Sequence, residues 1–114
     1  GEALLAIRWQ IKLSATGLEK SDLAVIPSSW NLYQNYPNPF NSRTRIMFDV
    51  PEPDFVSVKI FSLTGDEIIT LVNSRVVAGR YGVSWDACNS AGGVYLCVLR
   101  SSTVQCFHKL ILLR

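Results

Sequence analysis

The first clear pattern along the chain has a period of two. Leu5, Ile7, Trp9, Ile11 and Leu13 alternate with Ala6, Arg8, Gln10 and Lys12. Successive side chains of a strand point to opposite faces, so this alternation predicts a strand with one apolar and one polar face. Thr16-Gly17 ends it. Residues 18–31 are mixed, with a proline and a serine pair, and read as a linker. Leu23, Val25, Ile26 and Trp30 suggest that the linker lies on a surface. Alternation then returns in Ile46, Phe48 and Val50, again in Val56, Val58 and Ile60, and again in Tyr81, Val83 and Trp85. Ile68 to Val72 is a shorter apolar run, either a strand or a single helical turn. Val94–Leu99 and Val104–Leu113 read as a final hairpin closed near Ser101-Ser102. Pro51-Glu52-Pro53-Asp54, Thr64-Gly65-Asp66, Ala78-Gly79 and the Asn/Ser/Gly-rich loop from Asp86 to Gly93 separate these runs with turn chemistry. Short strands at regular spacing, with no long helical pattern, predict an all-β, Ig-like antiparallel sandwich of about seven strands with an N-terminal extended arm. The expected organisation is an arm over residues 1–15, a linker over 16–29 and a β-sandwich domain over 30–114.

Composition narrows the function classes. Of 114 residues 48% are apolar, enough for a buried core. The net charge of +2 comes from scattered residues, and no run of like sign points to nucleic acid or to a polybasic membrane anchor. The apolar stretches are strand-length, well short of the roughly 20 residues of a helical membrane span. The first residues, GEALLAIRWQ, lack the pattern of a signal peptide, so a mature form or a piece of a longer chain is expected.

No catalytic constellation is visible. His108 is the single histidine and lies in an apolar strand beside Lys109, where a structural or surface role is the simpler reading. No serine sits in a nucleophile-elbow pattern. Asp49, Asp54, Asp66 and Asp86 are spread over turns and strand ends, where capping of the backbone accounts for them better than paired acid–base chemistry. No calcium loop, zinc spacing or phosphate cradle is present, so no cofactor or metal is expected. The three cysteines say more. If Ser101-Ser102 is a two-residue loop, Cys97 falls opposite Cys106, and opposed residues of an antiparallel pair can form a disulfide. The alternative is two small buried thiols, and Cys88 is the odd one in a loop.

The chain also carries a dense local signature. Asn35-Tyr36-Pro37-Asn38-Pro39-Phe40-Asn41 packs two prolines, three asparagines and two aromatics into seven residues. With Asn31–Gln34 before it and Ser42–Ile46 after it, it resembles the opening of the type A C-terminal sorting domains of type IX secretion substrates. The later landmarks follow in order. Val58–Gly65 resembles a family strand and its turn, and Ile68–Val72 the next segment. Ala78-Gly79 through Trp85-Asp86 matches the pattern AG-x(4)-V-x-W-D. Gly93-Val94-Tyr95 followed by Leu99 is similar to GVY-x(3)-L. Lys109 to Arg114 has the basic-then-apolar character of the family's last strand. The resemblance covers about residues 30–114. Cys88, Cys97 and Cys106 depart from it.

The resemblance implies transport rather than catalysis: an address label on proteins that reach the periplasm of a Gram-negative bacterium and are then exported by the type IX machinery to the cell surface or medium. In many members a sortase-like peptidase removes the label and joins the cargo to surface lipopolysaccharide. The residues expected to carry the sorting motif are Tyr36, Pro37, Asn38, Pro39, Phe40, Trp85, Asp86, Gly93, Tyr95, Lys109 and Arg114, with the last strand, Val104–Arg114, carrying most of the recognition. The prolines fix φ and favour extended neighbours. A stiff lead-in would seat Tyr36 and Phe40 against the sandwich, so the stretch either starts the fold, the preferred reading, or is read directly by the machinery.

The arm raises an alternative. A lone strand exposing Leu5, Ile7, Trp9, Ile11 and Leu13 would invite aggregation. It either completes its own sandwich or is donated to a neighbouring copy, which would make the chain a subunit of an extracellular filament.

Overall fold

The computed structural model describes residues 17–21 and 26–114. The expected donor strand, Leu5 to Leu13, lies outside the described residues. Among the described residues, eight strands make two antiparallel sheets: β1 (Glu19–Lys20), β2 (Asn31–Leu32), β3 (Arg43–Val50), β4 (Asp54–Ser62), β5 (Glu67–Val76), β6 (Gly79–Asp86), β7 (Gly93–Arg100) and β8 (Gln105–Leu112). The first sheet runs β1-β6-β3-β2 and the second β5-β4-β7-β8. The all-β sandwich read from the alternation is therefore present, with six long strands and two short ones. Ile68 to Val72 resolves as strand, within β5. Inside the segment read as a linker, Leu18 is buried and Glu19–Lys20 pairs with Tyr81-Gly82. Arg45 Nη1 reaches Glu19 Oε1 at 2.6 Å across that edge.

The core follows from the period of two. Ile46, Phe48 and Val50 on β3 and Tyr81, Val83 and Trp85 on β6 point inward from the first sheet. Val56, Val58 and Ile60 on β4 and Tyr95, Cys97 and Leu99 on β7 meet them from the second. Phe48 stacks on Tyr81 with ring centroids 5.5 Å apart. Two tyrosines tie strand starts to the preceding turns: Tyr81 Oη donates to Val77 O at 2.6 Å, and Tyr95 Oη donates to Ala91 O. Gly93 opens β7 at φ 150°, a conformation that side-chain-bearing residues rarely adopt.

A polar cluster fastens one corner. Asp49 is only 1% exposed, yet it accepts hydrogen bonds from Arg80 Nε at 2.7 Å, Arg80 Nη2 at 3.2 Å, Asn31 Nδ2 at 3.2 Å and the Tyr33 hydroxyl. The Arg80 guanidinium also lies over the Tyr33 ring. The cluster thus ties β2, β3 and β6 together. Burial pushes the Asp49 carboxyl up, but the hydrogen bonds from Arg80, Tyr33 and Asn31 outweigh it and hold it below the usual carboxylate range. Of the four aspartates read as caps, Asp49 is the exception. Asp54 accepts from Phe55 N and from Ser102, Asp66 from the Thr64 hydroxyl, and Asp86 from Cys88 N.

The expected Cys97–Cys106 disulfide is not formed, and all three cysteines are free thiols. The turn of the last hairpin is centred one residue later than expected, on Ser102-Thr103. Ser101 N donates to Val104 O at 3.0 Å, and Ser101 Oγ accepts from Thr103 N and Val104 N. Asp54 Oδ2 accepts from Ser102 Oγ at 2.6 Å and Ser102 N at 3.3 Å. Moving the turn by one residue moves the pairing by two. Cys106 then faces Leu99, and Cys97 faces His108. The two sulfurs become diagonal neighbours on one face, where Cβ atoms are roughly 7 Å apart, too far for a disulfide.

Two outcomes are expected. Asp49 is depressed in the fold, so its contribution is complete above its unfolded value, about 3.9, and is lost as pH falls through the folded one. Asp49→Asn should lower the urea midpoint at pH 7 and make it fall less steeply than the wild type's below about pH 4. Burial pushes the Cys97 thiol up to about 12. Alkylation followed by mass spectrometry should label exposed Cys88 rapidly in the native protein and Cys97 only on unfolding, with no reductant needed to reach any of the three.

Candidate recognition surface

Segment 34–41 does not stand apart from the sandwich; it runs along the outer edge of β8. Phe40 N donates to Ile111 O at 2.9 Å, and Leu113 N donates to Phe40 O at 2.7 Å. Asn38 Oδ1 accepts from Ile111 N at 3.0 Å. Lys109 O accepts from Gln34 Nε2 at 3.1 Å and from Asn38 Nδ2 at 3.4 Å. The segment also holds the first sheet, because Tyr36 and Arg45 exchange both backbone hydrogen bonds at 2.9 Å. Both Tyr36–Pro37 and Asn38–Pro39 are cis. Asn35 is buried beneath the segment and donates to Thr44 Oγ1 at 2.9 Å and Pro37 O at 3.1 Å, while Thr44 Oγ1 donates to Pro37 O at 2.8 Å.

Phe40 enters the core as expected, with 2% of its surface exposed. Its ring lies 5.6 Å from Trp85, which meets Tyr95 edge-on at 5.3 Å. Three expected site residues therefore form one aromatic column from the segment through β6 to β7. Tyr36 does not join it. Its side chain is 81% exposed, because Asn35 takes the inward position and strand alternation turns Tyr36 out. Asn38 and Phe40 reach β8, and Pro37 contributes a carbonyl.

The remaining landmarks meet at the same end of the molecule. The Arg114 guanidinium donates to Ser90 O at 2.9 Å, to Asn41 O at 3.3 Å and to Ala87 O. Asp86 turns the start of that loop: it accepts from Cys88 N at 3.2 Å and pairs with Arg43 at 3.3 Å. The Cys88 backbone bond and the Arg43 contact hold its carboxyl below the usual range. Asp86 and Gly93 thus bound a loop that Arg114 ties to Asn41. Lys109 contributes its carbonyl, while its side chain is exposed.

This geometry limits how the last strand can be read. Segment 34–41 occupies the outward backbone groups of β8 from Lys109 to Leu113. Among the described residues none pairs with the outward groups of Gln105 and Phe107. The second half of β8 is thus paired along both of its edges, and the first half, among the described residues, along one. The carbonyl clamp made by Arg114 and the two bonds of Asn38 to β8 were not legible in the sequence. An arginine after an apolar run signals only charge, and each of these bonds joins residues far apart in the chain.

The profile of the family described as Secretion system C-terminal sorting domain matches residues 34–113. No curated protein matches the chain. The match covers 80 of the 114 residues, so the chain belongs to this family, the type IX sorting domains, which mark proteins for export to the cell surface or extracellular space.

Removing the clamp should loosen the enclosed loop without unfolding the sandwich. In Arg114→Ala, hydrogen exchange of residues 87–92 should rise while that of β4 and β7 stays unchanged. Asn35→Ala leaves Thr44 and Pro37 short of a buried partner and should cost about 1–3 kcal/mol in urea denaturation.

Proposed function

We propose that this chain is a non-catalytic sorting module that the type IX machinery reads in its folded state, and that it directs its cargo to attachment at the surface. The observation that carries the reading is the union of two landmarks that lie about seventy residues apart in the chain. Segment 34–41 and the stretch Lys109–Arg114 are one hydrogen-bonded unit, closed by Phe40 and by Arg114. Neither half has this shape alone. An unfolded chain would present the two as separate peptides, so the machinery would meet the joint surface only after folding. Within that unit Tyr36 offers an exposed aromatic ring and Lys109 an exposed cation, while Gln105–Phe107 offers a short open edge for strand addition. A sortase-like peptidase that later removes the module would act on the chain before it and leave this unit intact.

The test is a reporter carrying a signal peptide ahead of the full 114-residue chain, expressed in a bacterium with a working type IX system. The intact fusion should reach the surface or medium. A fusion lacking Lys109–Arg114, and one with Phe40→Ala, should accumulate in the periplasm. Export of both at the intact level would overturn the reading. Cleavage at the surface would show as a product shortened by the module in mass spectrometry.

A further inference from the structure

The two outer faces of the sandwich differ in kind. On the first sheet, among the described residues of β3 and β6, each outward cation has a carboxylate: Arg43 with Asp86, Arg45 with Glu19 and Arg80 with Asp49. That is an ordinary solvated sheet face. On the second sheet the pairing register sets Phe107 beside Val98, Leu96 beside Phe61 and Ile111 beside Val94. These six apolar side chains point away from the core, since Tyr95, Cys97, Leu99, Leu110 and Leu112 take the inward positions. Phe107 is 63% exposed. Alternation should place polar residues there, and β7 in particular reads apolar on both faces. A strand that is apolar on both sides is the mark of a sheet covered on both sides.

The charges around this patch define the chemistry that would complement it. Lys59, Arg100 and Lys109 stand on the same face, among or beside the apolar side chains. Glu67 answers only Lys59, at 3.1 Å. Arg100 turns to the neutral Gln105 at 3.0 Å, and among the described residues no carboxylate pairs with Lys109. Two copies packed through this face would set like charges against each other, which disfavours self-association. Strands of eight residues in a three-strand patch span about 27 by 14 Å, roughly 400 Å². That is about half of what one partner gives to a stable complex, so binding through it is transient.

We infer that the outer face of β4, β7 and β8 is a docking surface for a protein of the export machinery whose own flat apolar patch is edged with carboxylates. This rests on the sorting function proposed above. Transient binding suits a label that must be released once its cargo has crossed. The face also adjoins the open edge at Gln105–Phe107, so one partner can engage both.

The same export reporter tests it, with two variants of the full chain. Leu96→Thr/Phe107→Thr removes the apolar contact and keeps strand-forming residues, and Arg100→Glu/Lys109→Glu reverses the charge. Purified, each should melt within a few degrees of the wild type. Export should fall at least ten-fold for the first and at least three-fold for the second, with the chain retained in the periplasm. Stable variants exported at the wild-type level would overturn the inference while leaving the sorting function standing; failure of the intact fusion to be exported would overturn both. Sedimentation of the purified chain with vesicles of anionic phospholipid, abolished by Leu96→Thr/Phe107→Thr, would overturn it in favour of a lipid surface. Micromolar self-association lost in the same variant would overturn it in favour of a second copy.

Discussion

Phe40 is where three parts of this molecule are held at once. Its ring fills the end of the core against Trp85, which in turn meets Tyr95 on the opposite sheet. Its backbone pairs with Ile111 and Leu113 on the last strand. A buried aromatic ring brings a large apolar area out of water, and here the same residue also supplies the hydrogen bonds that cover a sheet edge. Withdrawing it would open a cavity and uncover the end of β8 together. The burial of one side chain is therefore coupled to the state of the surface that segment 34–41 and the last strand build together.

That coupling accounts for the chemistry of the segment. Covering an edge with irregular chain requires donors and acceptors at the right places, because unpaired backbone groups are costly. Asparagine carries both kinds in one short side chain. Asn38 accepts from Ile111 N, and Asn35 beneath it satisfies Thr44 and the Pro37 carbonyl. Arg114 closes the far end, since its forked donors can serve several carbonyls and the loop 87–92 offers them.

A recognition module also has to keep its partners apart from its core. The inner faces of both sheets are filled by aliphatic and aromatic side chains. On the outside, among the described residues, Arg43, Arg45 and Arg80 of one face are ion-paired, whereas the other face is largely apolar and its Arg100 and Lys109 have no carboxylate partner. Such a division gives the molecule a front and a back, although the two sheets share one architecture.

Much of the fold was legible in the residues themselves. Period-two alternation is a local steric fact, so the core positions of β3, β4 and β6 and their bounding turns could be read directly, whereas β7, apolar on both faces, gave no such signal. The seven-residue signature and the landmarks after it were equally visible, because they are contiguous. What tertiary structure decided was register and adjacency. The last hairpin turns at Ser102-Thr103 because Asp54, 48 residues away, holds Ser102, and that single shift separates Cys97 from Cys106. Tyr36 faces solvent because Asn35 finds partners inside. Segment 34–41 lies on β8, and Arg114 on the 87–92 loop, through hydrogen bonds between distant parts of the chain. Alternation tells each side chain which way to face, but only the assembled sandwich determines what it meets there.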